Sequence, residues 1–179
     1  MAIDRQESPY RRGNRYDVMP IPMVPDHCIT VDAGAVQLVV ESRRLTNEII
    51  KDTYHGGSEK DMHFDDYGAT LHVCGTADGL EYLRFDCFEN EPHYHYIRHA
   101  EGGNVICRLD EIAQGDPIEW TVARLRTRLP EMLDYAGADH LAAAARQNPE
   151  AVIEAVDRVT ELLEAARTQS LQKRAVQSV

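Results

Sequence analysis

The 179 residues of the chain include 30 acidic and 19 basic side chains, so the formal net charge is −11 at pH 7. A field of that sign repels nucleic acid and anionic membrane surfaces, and no run approaches the roughly 20 apolar residues that a membrane-spanning helix needs. The polar N-terminus lacks the apolar core of a secretory signal and the four cysteines form no close pair, so we expect a cytoplasmic protein with free thiols.

Residues 1–26 are predicted to form an extended N-terminal arm, because four prolines interrupt them and remove backbone donors. The arm has more apolar and aromatic side chains than a solvated linker carries. We therefore expect it to lie along a groove of its own domain or of another chain. The candidate partner-binding residues are Tyr10, Tyr16, Met19, Ile21 and Met23 on this arm and Tyr82 in the sheet.

A strand-rich region follows the arm, and its turn residues indicate an antiparallel meander. The dipeptide Asp78–Gly79 between two alternating apolar runs is a strong hairpin signal. Alternation and turn residues predict strands at 29–31, 35–41, 69–75, 80–88, 93–98 and 105–109, with a short helix at 45–54.

The C-terminal third is predicted to be helical. Asp116 before Pro117 is typical of a helix start, and Pro130 is expected to kink or split the helix that follows. Strands followed by helices predict an α+β fold, with the C-terminal helices packed on one face of the meander sheet. The predicted single domain covers residues 27–168, and a basic tail covers residues 169–179.

The turns suggest a register for the meander. A two-residue turn at Asp78–Gly79 sets Leu71 opposite Asp86, and a four-residue loop at 89–92 sets Asp86 opposite His95. One face would then be mostly apolar and is assigned to the helices: His72, Cys74, Leu83, Phe85, Cys87, Tyr94 and Tyr96. The other face would hold the chemically reactive side chains, Arg84, Asp86, His93 and His95.

A metal site is one interpretation of this second face. His93 and His95 are two residues apart on a strand and so point to the same side. With Asp86 they offer two imidazoles and a carboxylate, which suit zinc, iron or manganese, and Asp65 or Asp66 could supply a further ligand.

Two other interpretations of this face need no metal. In metal-free acid–base chemistry, Asp86 would orient His95 and Arg84 would hold an anionic substrate. Cross-strand pairs of these residue types also occur as ordinary sheet contacts, which contribute roughly 0.2–1 kcal/mol each.

The leading functional hypothesis is an accessory or structural subunit of a larger, hetero-oligomeric and enzymatic complex, with a homo-oligomer as the other partner arrangement. The arm and the absence of a phosphate-binding loop or a nucleophile elbow favour it. The alternative is a small metal-dependent enzyme that uses His93, His95 and Asp86, with Arg84 as anion anchor. A third hypothesis is a small-molecule-binding module with a cavity between sheet and helices, lined by Tyr94 and Tyr96.

Overall fold

The structure, a computed structural model, describes residues 12–53 and 65–177, with the backbone alone for 51–53 and 174–177. Its centre is one antiparallel sheet of seven strands in the spatial order β1-β7-β6-β5-β4-β3-β2. The strands are β1 (Asn14–Tyr16), β2 (Cys28–Ala33), β3 (Val36–Thr46), β4 (Asp65–Gly75), β5 (Glu81–Phe88), β6 (His93–Arg98) and β7 (Gly103–Arg108). The predicted α+β meander fold is confirmed.

Three long or medium helices follow the sheet and pack on one of its faces. The described helices are α1 (Asn47–Thr53), α2 (Glu111–Gln114), α3 (Pro117–Ala136), α4 (Asp139–Gln147) and α5 (Pro149–Gln177). None of these described helices combines the length and the apolar composition that a membrane crossing requires.

The helix boundaries differ from the sequence prediction in two places. Pro130 lies inside α3 and does not divide it, because the buried side chains of Leu129 and Leu133 hold both halves against the core. The helix α5 continues to Gln177, beyond residue 168, where the sequence suggests that a separate tail begins. Ser170 on this last part is buried and donates to the carbonyl of Gly68.

The face of the sheet toward the helices is apolar. Leu71, Leu83 and Phe85 are almost fully buried there, against the stripes of α3 and α5. Large aromatic rings fill the space beside β6: Tyr94 lies 5.1 Å from Trp120 and Tyr96 lies 4.6 Å from Tyr135, measured between ring centroids. Those contacts fill the place where the sequence suggested a cavity lined by the two tyrosines.

The hairpin between β4 and β5 is wider than the predicted two-residue turn. The amide of Gly75 donates to the carbonyl of Leu80, and the side chain of Asp78 accepts from the amide of Leu80. A register shift follows between Val73 and Cys74. The Asp78 carboxylate thus closes the loop in place of a tight turn, and the register shift marks a bulge in the strand pair that follows.

A one-residue change of register between β4 and β5 reverses the predicted faces of β4. The wider loop alone moves the register by two residues, and the shift between Val73 and Cys74 brings the net change to one. Thr70 lies opposite Asp86 and His72 opposite Arg84, so His72 lies on the face away from the helices. The assignment of His72 to the apolar face is therefore wrong. A shift of one residue in register is enough to exchange the two faces of a strand.

The loop between β5 and β6 displaces the register by two residues, which leaves the faces unchanged. His93 lies opposite Asp86 and His95 lies opposite Arg84. The two histidines therefore share one face with Asp86 and Arg84, as the sequence predicts, although the pairing partners differ.

The N-terminal segment, residues 12–26, runs along this second face of the sheet. Its β1 strand pairs with β7, where Arg15 faces Val105. Farther along, the carbonyl of Ile21 accepts from both Arg43 and Arg84, and the amide of Val24 donates to Glu41. The described part of the arm thus lies on its own domain.

Candidate metal centre

Asp86, His93 and His95 bring three potential metal ligands together on the face covered by the N-terminal segment. The Oδ2 atom of Asp86 lies 3.3 Å from Nε2 of His93 and 3.0 Å from Nε2 of His95. One ligand atom from each of the three residues lies within 4.8 Å of the others. Strand pairing between β5 and β6 fixes this proximity, because the side chains of register partners point to the same side.

The tautomer of His93 follows from the hydrogen bond that its Nδ1 atom makes. Its Nδ1 atom lies 2.7 Å from the backbone carbonyl of Glu91. A carbonyl oxygen can only accept, so Nδ1 carries the hydrogen and the neutral ring presents a lone pair at Nε2.

The proton on His95 is assigned in the same way, through Asn104 on β7. The side-chain amide of Asn104 donates from Nδ2 to the carbonyl of Val18 at 2.7 Å, which orients its oxygen toward His95. That oxygen accepts from Nδ1 of His95 at 2.9 Å. The neutral ring of His95 therefore also presents its lone pair at Nε2.

Both lone pairs are directed at the same ionised oxygen of Asp86. Three electron-rich atoms at this spacing repel one another unless each imidazole takes a second proton or a cation lies between them. Two imidazolium rings with centroids 5.0 Å apart would share a single carboxylate in a buried site, which is unfavourable. A metal ion satisfies all three atoms, and outer hydrogen bonds that fix the ring tautomers are characteristic of metal-binding histidines.

The spacing of the ligand atoms suits a first-row transition metal. For bonds of about 2.1 Å, two ligands lie about 3.0 Å apart at an octahedral angle and about 3.4 Å apart at a tetrahedral angle. The two distances from Asp86, 3.0 and 3.3 Å, fall in this range. Two imidazoles and one carboxylate suit zinc, iron(II) or manganese.

The titration behaviour of the three groups also suits a cation. Burial by itself raises the pKa of Asp86, but a proton on Nε2 of either histidine would donate to the carboxylate and hold that pKa well below its ordinary value, so the group stays ionised whether protons or a cation lie between the rings. Burial lowers the pKa of His95, which favours the neutral ring. Burial also acts against the charged form of His93, but the contact with Asp86 outweighs it and raises the pKa of His93. A metal ion that binds here displaces that proton.

Uncharged and backbone groups hold the ligands in place. The hydroxyl of Thr70 donates to Oδ1 of Asp86 at 2.6 Å, which leaves Oδ2 for the two histidines.

Asp66, a further ligand candidate from the sequence, instead accepts from the amides of Asn90 and Glu91 and so fixes the loop before β6. Asp65, the other candidate, accepts from Arg44.

Arg84 does not have the position that the anion-anchor hypothesis requires. Its Nε and Nη2 atoms donate to the carboxylate of Glu81, each at 2.8 Å, and its Nη1 atom donates to the carbonyl of Ile21. The residue is only 2% exposed. All three nitrogens of the guanidinium are therefore engaged within the protein, and the structure corrects the anion-anchor assignment.

A second buried polar cluster lies beside the ligands. His72 lies between two carboxylates, with Nδ1 2.6 Å from Glu81 and Nε2 3.0 Å from Glu41. Arg43 donates to Glu41 at 2.7 Å, and Arg84 completes the group. We call these five residues the charged cluster. The sequence carries a signal for it, since Glu41 directly follows the apolar run 38–40 of β3 and His72 lies between Leu71 and Val73 in β4.

Sequence reasoning missed Asn104 and Thr70, which hold the ligands, and Glu41, which holds the charged cluster. Asn104 is nine residues from His95 and is predicted to lie in the turn before the strand at 105–109, whereas β7 begins at Gly103 and pairs Asn104 with β6 on the ligand face. Thr70 lies two residues before His72 on β4, so the predicted register, which placed His72 on the apolar face, could not bring it to Asp86.

The candidate partner-binding residues have different positions. Tyr10 lies outside the described residues. Tyr16 is 45% and Met19 is 39% exposed, whereas Ile21 and Met23 are half-buried. Tyr82 is buried, and its hydroxyl donates to Asp78 at 2.8 Å, so its ring stabilises the hairpin.

No curated protein sequence and no solved structure matches the chain. A family model, described as a domain of unknown function (DUF7700), matches residues 30–163. The matched range contains the three ligand residues together with Thr70 and Asn104. Because the match covers most of the 179 residues, the chain belongs to this family of domains of unknown function.

Proposed function

We propose that the protein binds a divalent transition-metal ion through Nε2 of His93, Nε2 of His95 and a carboxylate oxygen of Asp86. One observation carries the proposal: both histidines commit Nδ1–H to an acceptor and direct Nε2 at the same buried carboxylate oxygen. Zinc, iron(II) and manganese are the ions that fit this donor set.

The ligand set favours a catalytic ion over a purely structural one. Structural zinc sites are closed by four protein ligands, whereas catalytic sites keep a position for water or substrate. Among the described residues, three groups converge on the site. We therefore propose a metal-dependent enzyme in which the ion activates water or polarises a bound oxygen, with no part for Arg84 as an anchor.

Metal analysis tests the proposal. We expect the protein to hold about one equivalent of zinc, iron or manganese when it is purified without chelator or reconstituted with each ion separately. His93→Ala and His95→Ala should each lose the bound ion, because two remaining ligands hold a metal weakly. The readout is elemental analysis after exhaustive dialysis, with circular dichroism as a check on folding.

The matched control is His27→Ala, which removes an exposed histidine outside the ligand cluster and should retain the ion. Asp86→Asn provides a milder variant with nearly the same shape. Wild-type protein that holds none of the three ions after reconstitution, or that holds one equally well without both histidines, contradicts the proposal.

A second candidate function is that of an accessory subunit in a larger complex. It is supported by apolar side chains that the N-terminal segment leaves exposed on the surface: Tyr16, Val18, Met19 and Val24 are each 39–45% exposed. Apolar groups grouped along one segment are typical of surfaces that contact another chain. The two proposals are compatible, since a metal-dependent subunit can belong to an assembly.

A further inference from the structure

We propose that the metal ion and Arg108 together bind a small anionic ligand that carries a carboxylate or a similar oxyanion group. The inference rests on the proposed metal site and adds to it the ligand class and the residue that recognises the ligand's charge.

The strand register places Arg108 beside the ligand cluster. Asp86 on β5 lies opposite His93 on β6, and His93 lies opposite Arg108 on β7. Directly opposed side chains in an antiparallel sheet have their Cβ atoms about 4.5–5.5 Å apart and point to the same side. Arg108 therefore continues the row of Asp86 and His93 toward the edge of the sheet.

Solvent exposure rises steeply along this row. The side chains of Asp86, His93 and Arg108 are 3%, 13% and 70% exposed, respectively. The ligand cluster is thus closed at its Asp86 side and opens toward Arg108. A small molecule that reaches the ion from solvent passes the guanidinium first.

The charges in this row favour an anion. A divalent ion with one carboxylate and two neutral imidazoles carries a net charge of about +1. Arg108 adds a positive charge at the entrance, and its ion pair with Glu91, at 3.1 Å, joins two exposed side chains. An ion pair of that kind contributes little free energy, so a ligand carboxylate can take the place of Glu91.

Guanidinium geometry indicates the class of ligand. A guanidinium presents parallel N–H groups that match the two oxygens of a carboxylate or the oxygens of a phosphate. The ion takes one oxygen of the ligand at an open position, and the guanidinium donates to the other. Arg108 thus has the accessibility that the buried Arg84, paired with Glu81, lacks.

The test uses the protein loaded with one equivalent of Co²⁺, whose visible absorption reports changes in coordination, and acetate as the probe. We expect acetate to change the spectrum saturably and the neutral isostere acetamide to leave it unchanged at the same concentrations. Arg108→Gln should weaken acetate binding at least about 3-fold, and Glu91→Gln, which frees Arg108, should strengthen it. Neither variant should change the affinity for Co²⁺.

The control variant is Arg158→Gln, which removes an exposed arginine that pairs with Glu161 on α5, away from the sheet. It should leave acetate binding unchanged. A cobalt-loaded protein whose spectrum ignores acetate overturns this inference and leaves the metal site standing. Equal acetate affinities in the wild type and Arg108→Gln remove the role of Arg108, and failure to bind any of Co²⁺, zinc, iron(II) and manganese removes both proposals.

Discussion

Asn104 links the candidate metal centre to the N-terminal segment through one side-chain amide. Its oxygen accepts from Nδ1 of His95, and its nitrogen donates to the carbonyl of Val18. The first bond sets the tautomer of a ligand, and the second holds the chain that covers the site. Asn104 is thus a positioning residue with two separable contacts.

Replacing Asn104 should separate those two contacts. Asn104→Leu removes both, and we expect the affinity for metal to fall about 10- to 100-fold, as for other outer partners of metal-binding histidines. Asn104→Asp keeps an acceptor for His95 but cannot donate to Val18, so the affinity should remain closer to that of the wild type. Competitive titration with a chromophoric chelator measures both.

A variant that folds poorly would also lose affinity for metal. The rates of amide hydrogen exchange at residues 17–20 are therefore compared in the two variants as well. We expect faster exchange there in both variants, because both lose the donor to Val18. Equal metal affinities for the leucine and aspartate variants would show that the acceptor for His95 is unimportant.

At the scale of elements, the charged cluster holds the N-terminal segment on the sheet. Arg43 and Arg84 donate to the carbonyl of Ile21, and Glu41 accepts from the amide of Val24. A proline-rich segment without a regular ladder cannot satisfy its carbonyls by itself. Buried arginines supply the missing donors, so strands β3 and β5 stabilise a segment that is distant in sequence.

The stability of the charged cluster should depend on pH in a defined way. Burial opposes the charged form of His72, but Glu41 and Glu81 outweigh it, and its pKa lies above the ordinary 6.5. The free energy of unfolding that charged His72 contributes is therefore fully present below pH 6.5, and it is lost as the pH rises through the folded-state pKa of His72. Burial opposes the ionised form of Glu81, yet hydrogen bonds to His72 and Arg84 lower its pKa to about 2.

The free energy of unfolding that ionised Glu81 contributes is fully present above its ordinary pKa of 4.5, and it is lost as the pH falls toward about 2. We therefore expect the cluster to contribute most to the free energy of unfolding between pH 4.5 and 6.5. Urea unfolding of metal-free protein across pH measures this contribution. His72→Gln should reduce the decline above pH 6.5 to the part that His93 contributes through Asp86, whereas the exposed-site control His140→Gln should keep the full decline.

The whole molecule divides its two kinds of chemistry between the faces of one sheet. Apolar side chains of β4, β5 and β6 meet α3 and α5 on one side and form the core. Charged and imidazole groups occupy the other side under the N-terminal segment. The helices thus supply most of the buried apolar area, and the opposite face can carry ionisable groups because hydrogen bonds satisfy them.

The proposed association with a partner depends on the exposed surface of the N-terminal segment. If the exposed side chains of the N-terminal segment contact another chain, native mass spectrometry of the protein from its own cells should show an assembly larger than the monomer. Val24→Lys should weaken that assembly without lowering the melting temperature, because the side chain is already exposed. Ile112→Lys, at a fully exposed site on α2, is the matched control. A monomer under gentle conditions contradicts the proposal.

By itself, the sequence determined the order of strands β2 to β7 and of the longer C-terminal helices, and the presence of His93, His95 and Asp86 on one face, although it missed β1 and α2. These features depend on the two-residue period of a strand and on local turn and capping residues, which act over a few positions.

Tertiary structure alone decided the face of His72, the engagement of Arg84 by Glu81 and the contact of Asn104 with His95. The face of His72 and the contact of Asn104 depend on the register of neighbouring strands, and the pairing of Arg84 with Glu81, three residues away on β5, depends on the register shift at that end of the strand. The width of one hairpin and the register shift between Val73 and Cys74 together changed that register by a single residue, and no local pattern encodes either feature.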